Sequence, residues 1–266
     1  MNRKNIRLVY FSPTHTSQKI VQGIANGMMP VEVTHCDLTL PDPERANQVF
    51  SEDDFVIFGM PVYGGRIPAE AVARLKKIHG KNTLAAIVVV YGNRAYEDAL
   101  LELKTIVAAA GFPPIAAGAF IGEHSFSNSE FPIGAGRPDE ADITEAEAFG
   151  QRIVAKLNRL EDADRIDAVE VPGNFPYKDG IPPSDAATTT NDAACTMCES
   201  CGFVCPTGAI GYTDRVITDN EKCILCCACV RSCPSEARAL THPPMLKITT
   251  WLFDNFKEPR KPETFI

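Results

Sequence analysis

The sequence lacks both a long hydrophobic run and an excess of positive charge. It has no window of about 18 uninterrupted apolar residues, which a membrane-spanning helix would need. Its N-terminus lacks the apolar core of a signal peptide, so we expect a soluble, cytoplasmic protein with no membrane partner. Because 34 acidic residues outnumber 26 basic ones, for a net charge of -8, the chain offers no basic stripe for phosphate backbones. We therefore expect no nucleic-acid partner.

Cysteine is scarce outside one region of the chain. Eight of the ten cysteines form two regularly spaced runs between residues 195 and 233, and Cys36 and Cys227 stand outside that pattern. Two further cysteines do not make the disulfide framework of a secreted protein. Cys36 is expected in the core, and Cys227 beside a metal site rather than as a ligand. The length of 266 residues allows two domains.

The two cysteine runs share one spacing, Cys-x2-Cys-x2-Cys-x3-Cys-Pro, over residues 195–206 and 223–234. Three closely spaced thiols can curl around one side of an iron-sulfur cube, whereas the fourth ligand has to come from elsewhere. Zinc knuckles and disulfides are the alternatives. Zinc sites usually separate two Cys-x2-Cys pairs by a longer loop, so four thiols in each short run favour iron-sulfur clusters.

This spacing resembles that of bacterial two-cluster ferredoxins, in which the fourth cysteine of each run ligates the cluster of the other run. The resemblance implies two 4Fe-4S clusters with crossed ligands. The first cluster would use Cys195, Cys198, Cys201 and Cys233, and the second would use Cys223, Cys226, Cys229 and Cys205.

Short apolar segments alternate with helical patterns upstream of the runs. We predict strands over residues 5–11, 31–36, 55–60, 84–91 and 114–122, each followed by a helix except the second, with the last helix over 143–160. Residues 84–91 are nearly all apolar, as expected where helices cover both faces of a sheet. The alternation predicts an α/β fold with a doubly wound, five-stranded parallel sheet. Ligands should then bind beyond the carboxyl ends of the strands.

Three loops at these strand ends carry the second resemblance. Residues 12–17 place hydroxyl groups before a helix, which suits a phosphate as well as simple N-capping. This loop resembles the flavodoxin phosphate loop, although His15 stands where flavodoxins carry glycine, and residues 60–68 and 92–96 resemble the isoalloxazine loops. The resemblance implies FMN bound by Ser12, Thr14, His15, Thr16, Ser17, Pro61, Val62, Tyr63, Gly64, Gly65, Tyr91, Gly92, Asn93, Arg94 and Tyr96.

Three residues are candidates for a catalytic role. Arg94 near the flavin would favour its anionic reduced form, although it could instead pair with Glu97 or Asp98 on the surface. His15 could add positive charge at the phosphate. His124 could move protons, or only hydrogen-bond a long loop.

Aromatic stacking on the flavin is expected first from Tyr63 and second from Tyr96. The whole chain thus resembles a fusion family of anaerobic microbes, in which a flavodoxin-like FMN domain (1–161) and a linker (162–190) precede a small α+β two-cluster ferredoxin domain (191–241). A helical tail (242–266) is expected to pack between the two domains.

The leading hypothesis is an electron-transfer flavoprotein that passes electrons between the clusters and FMN. Its partner would be a redox protein or a small-molecule acceptor, and a homodimer would let a neighbouring cluster reach the flavin. An FMN-dependent reductase of an organic substrate is the alternative, and a redox sensor or assembly subunit is a third.

Overall fold

A mainly parallel sheet organises the N-terminal part of this computed structural model, which describes residues 5–30, 32–42, 47–160, 168–181 and 184–266. In chain order the elements of this part are β1 (Asn5–Tyr10), α1 (Thr16–Met28), β2 (Val33–Asp37), β3 (Gln48–Phe50), β4 (Asp54–Pro61), α2 (Ala69–Leu75), β5 (Ile78–Gly80), β6 (Ala85–Tyr91), α3 (Ala99–Ala109), β7 (Pro114–Ile121) and α4 (Glu140–Leu160).

The strand order β2-β1-β4-β6-β7, with all neighbours parallel, is that of a flavodoxin-like doubly wound sheet. The predicted five-stranded parallel sheet is therefore confirmed. β2 begins at Val33, and the predicted first residue of this strand, Val31, lies outside the described residues. The short strands β3 and β5, which were not predicted, pair with each other beside the main sheet.

Both faces of the sheet are covered, which explains the apolar composition of the central strands. Every residue of β6 is buried. Because successive side chains of a strand point to opposite faces, Ile87 and Val89 pack with α2 and α3, whereas Ala86 and Val88 pack with α1 and α4. Burial on both faces thus replaces the usual alternation of apolar and polar residues.

Helices α1 and α4 approach each other closely because glycine occupies their contact. A Cβ atom on Gly27 would lie 1.9 Å from the carbonyl oxygen of Glu147, and one on Gly150 would lie 2.1 Å from that of Ile24. A larger residue at either position would push the helices apart, so the layer over this face depends on the two glycines.

The C-terminal part contains short antiparallel strand pairs and helices around the cysteine runs. Its elements are β8 (Thr189–Thr190), α5 (Ser200–Phe203), β9 (Ile210–Tyr212), β10 (Val216–Thr218), α6 (Ala228–Arg231), β11 (Arg238–Ala239), α7 (Pro243–Phe256) and β12 (Glu263–Phe265). β9 pairs with β10, and β8 pairs with β11. β8 lies inside the predicted linker of residues 162–190, of which 162–167 and 182–183 lie outside the described residues.

Residues 168–181, the first described part of the linker, form a strap on the N-terminal domain. Asp98 accepts hydrogen bonds from the backbone N–H groups of Asn174 and Lys178, both at 2.8 Å. Arg66 pairs with buried Glu102 at 2.6 Å and donates to the carbonyl of Lys178. These contacts tie the strap to the loops that follow β4 and β6.

The chain ends on the main sheet, which was not predicted. β12 pairs antiparallel with β7 as an added edge strand. Asn93, which is 0% exposed, binds the residues that precede β12. Its Nδ2 donates to the carbonyls of Phe256 and Glu258, and its Oδ1 accepts the N–H of Arg260 at 3.0 Å. Tyr96 donates to Glu263 at 2.9 Å. Among the described helices, none has the length and apolarity required to cross a membrane.

We expect Asn93→Gly to release residues 257–265 from the sheet. Glycine keeps the left-handed backbone of Asn93, whose φ is 64°, but removes three hydrogen bonds, at a cost of about 2 kcal/mol. Backbone amide exchange in this segment should then accelerate by about 30-fold. Asn82→Gly is the matched control, because Asn82 is exposed and also has a positive φ, of 56°. Equal exchange rates in both variants would contradict the anchoring role.

Candidate cofactor sites

A cavity of about 360 Å³ lies at the carboxyl ends of the parallel strands. The loops that follow β1, β4, β6 and β7 all contribute to its wall, as expected for a ligand site of this fold. The predicted residues that line it are Ser12, Thr14, Thr16, Ser17, Pro61, Val62, Tyr63, Gly64, Tyr91, Gly92, Arg94 and His124. The other four predicted residues, His15, Gly65, Asn93 and Tyr96, are not among the described residues of this wall.

The loop after β1 has the features of an anion site. Ser17 is fully buried in the cavity wall, and its Oγ has no hydrogen-bond partner among the described residues. Ser12 Oγ, by contrast, accepts the N–H of Gln18 at 3.1 Å. α1 begins at Thr16 in this loop, and the first N–H groups of a helix carry partial positive charge. An unpaired buried hydroxyl at a helix N-terminus fits a phosphate group.

His15 serves the backbone of this loop rather than the cavity. Its φ is 62°, in the left-handed region that glycine adopts most easily. Its side chain is exposed, and Nδ1 lies 3.0 Å from Gln18 Oε1. His15 is not among the described residues of the cavity wall, and its predicted contact with a phosphate stays a prediction.

Gly65, Asn93 and Tyr96 contact other parts of the protein. Gly65 has a φ of 84°, and a Cβ atom there would lie 1.8 Å from a carboxylate oxygen of Glu97, so this glycine permits two loops to pack closely. Asn93 and Tyr96 bind the C-terminal segment, as described above. The sequence could not show this, because the segment lies near the opposite end of the chain.

Tyr63 stands between the cavity and the second cysteine run. Burial, reinforced by the nearby thiols of Cys226 and Cys227, raises the pKa of Tyr63 well above its ordinary value. The phenol is therefore neutral at physiological pH. Ile224 and Leu225, which lie between cysteines of the second run, line the same cavity as Tyr63.

Arg94 lies in the cavity wall and also pairs with Glu97, the two alternatives that the sequence left open. It lines the cavity, and its Nη atoms donate to the carboxylate of Glu97 at 3.0 and 2.9 Å. Lys178 Nζ lies 2.6 Å from the same carboxylate. The hydrogen bond from Arg94 lowers the pKa of Glu97, so the two side chains carry opposite charges at neutral pH.

His124 is a neutral imidazole in the cavity wall. Burial first, then the positive charges of Arg94 and Arg231, lower its pKa to about 4. The backbone N–H of Phe126 donates to Nδ1 at 3.1 Å, so the ring proton of the neutral form resides on Nε2. Glu123, its neighbour, also lines the cavity and forms an ion pair with Arg231 at 3.0 Å.

Sequence reasoning missed one apolar wall of the cavity. Met245, Ile248, Trp251 and Leu252 of α7 line it, and Trp251 remains 51% exposed. The helical spacing of these residues was visible in the sequence and predicted a packing face. We expected this face to pack between the two domains and did not assign it to the cavity, because the docking of the C-terminal segment cannot be read from the sequence.

The thiols of the second predicted ligand set meet in one small cavity of about 20 Å³. Its wall contains Cys223, Cys226 and Cys229 from the second run and Cys205 from the first. Burial raises the pKa of Cys223, and that of Cys226 to about 12, so a metal that binds here has to displace protons. Four cysteines around one cavity fit a 4Fe-4S cluster, and they are the set that crossed ligation requires.

No three His, Cys, Asp or Glu side chains of the described residues are gathered tightly enough to hold a single metal ion. A cube of four irons binds its thiolates at separate corners, which lie further apart than the ligands of one ion.

The two runs share a local backbone conformation. The residues on either side of the second cysteine have positive φ in both: 54° and 62° at Met197 and Glu199, and 56° and 57° at Leu225 and Cys227. Cys227 therefore occupies the position equivalent to Glu199 and lines the second thiol cavity.

The fourth cysteines repeat the same hydrogen bonds. The N–H of Ala209 donates to Cys205 Sγ, and the N–H of Ala237 donates to Cys233 Sγ, both at 3.2 Å. Hydrogen bonds of this kind stabilise a ligating thiolate and help to set the potential of a cluster. Both runs thus offer their last cysteine in the same way.

Comparisons with known proteins find one matching family model and several similar structures. A family model described as a 4Fe-4S binding domain matches residues 216–239, which contain the whole second run. The chain joins a flavodoxin-like domain to a 4Fe-4S binding domain. The strand order assigns the first and the family model assigns the second. Comparison with curated proteins gives no match.

Several solved flavodoxin structures are similar to the flavodoxin-like domain. One from Streptococcus pneumonia TIGR4 is 18% identical over 57% of this chain and 98% of that chain, with a TM-score of 0.40. One from Fusobacterium nucleatum, bound to flavin mononucleotide, is 17% identical over 59% and 98%, with a TM-score of 0.39. The two-electron reduced flavodoxin of Megasphaera elsdenii is 15% identical over 56% and 98%, with a TM-score of 0.37.

We expect His124 to stay neutral down to a pH of about 5, with its proton on Nε2. Its folded pKa lies below the unfolded value of about 6.5, so the stability it contributes is complete above that value and is lost as the pH falls towards 4. The loss at pH 5 should be about 2 kcal/mol. NMR of protein labelled with ¹⁵N-histidine reports the tautomer directly, and His124→Gln assigns the signal. A doubly protonated ring at pH 6 would contradict this.

Proposed function

We propose that this protein is an electron-transfer iron-sulfur flavoprotein that binds one FMN and two 4Fe-4S clusters. A flavin exchanges one or two electrons, and a cluster exchanges one. The observation that carries the proposal is the contact between the two sites: Ile224 and Leu225 lie among the cysteines of the second run and also line the flavin cavity. Electrons would thus pass between neighbouring groups of one chain, and no diffusive encounter is needed.

The cavity offers separate groups for the parts of FMN. The buried Ser17 hydroxyl and the N-terminus of α1 suit the phosphate. Tyr63 offers a neutral aromatic side chain at the wall shared with the second run, and His124 offers a neutral N–H donor. The side chains of α7 would exclude water from the remaining face.

The crossed ligand sets are supported by the cavity that Cys205 shares with the second run. Because the first three ligands of each cluster would come from one run and the fourth from the other, loss of one fourth cysteine should remove the cluster of the opposite run. The partner would be a redox protein or a small-molecule acceptor.

A reductase of an organic substrate is the second candidate. It is favoured by the apolar residues of α7 in the cavity wall and by His124 and Glu123, which can exchange protons. The two candidates differ in which acceptor reoxidises the reduced protein. A carrier passes electrons to one-electron acceptors, whereas a reductase also turns over an organic acceptor and releases a reduced product.

Anaerobically purified protein should contain about eight irons, eight sulfides and one FMN per chain. Cys205→Ala should lose about half of the iron, and the lost cluster should be that of the second run. Cys233→Ala should lose the first cluster instead. Electron paramagnetic resonance spectra of the two variants should therefore be complementary.

Cys36→Ala is the control for these variants, because Cys36 lies buried in the flavodoxin-like domain and should leave the iron content unchanged. Wild-type protein with four irons or fewer, or without FMN, would contradict the proposal. Identical spectra for Cys205→Ala and Cys233→Ala would contradict the crossed ligands.

Arg94 and Glu97 should shift the potential of the flavin in opposite directions. Arg94→Gln removes a positive charge from the cavity wall and should lower the two-electron midpoint potential by on the order of tens of millivolts. Glu97→Gln removes the opposing charge and should raise it. Redox titrations monitored by flavin absorbance measure both shifts. Shifts of the same sign in both variants would show that they perturb packing rather than charge.

A further inference from the structure

A buried arginine that has no carboxylate partner among the described residues lies beside the second cysteine run. Arg238, in β11, is 3% exposed. Its Nη1 donates to Thr190 Oγ1 at 2.5 Å, and its Nη2 donates to Thr218 Oγ1 at 2.8 Å and to Thr188 Oγ1. Within the described residues, its partners are hydroxyls, a carbonyl and a sulfur, and Nε is buried without any.

A buried guanidinium in neutral surroundings is unfavourable, because hydroxyl dipoles do not replace the hydration of a full charge. The fold itself does not require this charge. When the two runs are aligned on their fourth cysteines, Cys205 and Cys233, the position equivalent to Arg238 is Ile210, an uncharged residue that packs against the apolar cluster of Cys201, Val216 and Cys229. The buried arginine is therefore a feature of the second run and is not shared by the first.

The guanidinium of Arg238 contacts one group that can carry negative charge among the described residues, the sulfur of Cys229. Arg238 Nη2 lies 3.7 Å from Cys229 Sγ, and Thr188 Oγ1 lies 3.3 Å from it. Because Thr188 accepts a hydrogen bond from Arg238, its own hydroxyl proton is free to be donated to the sulfur. A thiolate at Cys229 would thus receive one charge-assisted contact directly and one hydrogen bond through the threonine.

We propose that Arg238 is the counter-cation of the second 4Fe-4S cluster and raises its reduction potential. A cluster on four thiolates is an anion, and it gains one further negative charge when it accepts an electron. Burial of Cys226 and Cys229 disfavours that gain, and a neighbouring positive charge offsets it. The inference rests on the proposed function, because it requires the second cluster.

The test compares Arg238→Gln and Arg238→Lys in full-length protein purified anaerobically, with reduction followed by electron paramagnetic resonance. In Arg238→Gln, the reduction equilibrium of one cluster should become at least about tenfold less favourable, which is about 59 mV for one electron. The affected signal should be the one that Cys205→Ala lacks. Arg238→Lys keeps the charge and should retain most of the wild-type potential.

Arg215→Gln is the matched control, because Arg215 is an exposed arginine between β9 and β10 and should change neither potential. Wild-type potentials in Arg238→Gln would overturn the inference. Loss of the second cluster from both Arg238→Gln and Arg238→Lys would also overturn it, because the role of Arg238 would then be geometric. Loss of that cluster from Arg238→Gln alone would support it. Eight irons in the wild type separate these results from a failure of the proposed function.

Discussion

Two arginines fix the cysteine runs to the edge of the sheet, and the proposed path between the two sites depends on their contacts. Arg74 of α2 donates to the carbonyl of Pro206, beside the fourth cysteine of the first run, and to that of Thr39 in the loop after β2, both at 2.5 Å. Arg231 of the second run pairs with Glu123 in the cavity wall. Burial lowers the pKa of Arg74, so its charge is retained at a cost that the carbonyl dipoles offset. Each of these two arginines joins one run to a different loop. Together they fix both the orientation of the cysteine runs and their distance from the cavity.

The two runs, although similar in backbone, differ in their surroundings. Cys198 of the first run is exposed, and so are Met197 and Phe203 near it, whereas the equivalent Cys226 of the second run is buried. The first run is therefore open to solvent at its second cysteine, while Ile224 and Leu225 of the second run line the cavity at the strand ends. The polar groups next to the sulfurs differ too, because a neutral phenol lies beside Cys201 and a cation beside Cys229. The two runs share one cysteine spacing, but their sulfurs lie in different electrostatic environments.

The patterns that predicted the fold are those in which the evidence is local. The apolar run of β6 requires two covered faces, and the cysteine spacing carries its meaning within one short stretch of chain. The contacts that were not predicted join segments far apart in the chain. Asn93 and Tyr96 lie in a loop beside the cavity, but their side chains form hydrogen bonds with a segment near the C-terminus. β12 has three residues, too few for a period to be recognised, and its place is determined by the open edge of β7. The left-handed backbone of His15 was not predicted, because histidine adopts a positive φ far less readily than the glycine of the related loop.

One wall of the cavity depends on contacts that the C-terminal segment makes outside the cavity. α7 provides an apolar wall, but α7 packs little of its own surface, since Leu246, Ile248 and Trp251 are all substantially exposed. Its position is held by the residues after it, through the bonds from Asn93 and the pairing of β12 with β7. Residues of the loop after β6 therefore act on the flavin cavity from two sides, with Arg94 in its wall and Asn93 behind it. A ligand that packs against α7 gains affinity only when the tail is docked, so binding of the ligand and docking of the tail stabilise each other.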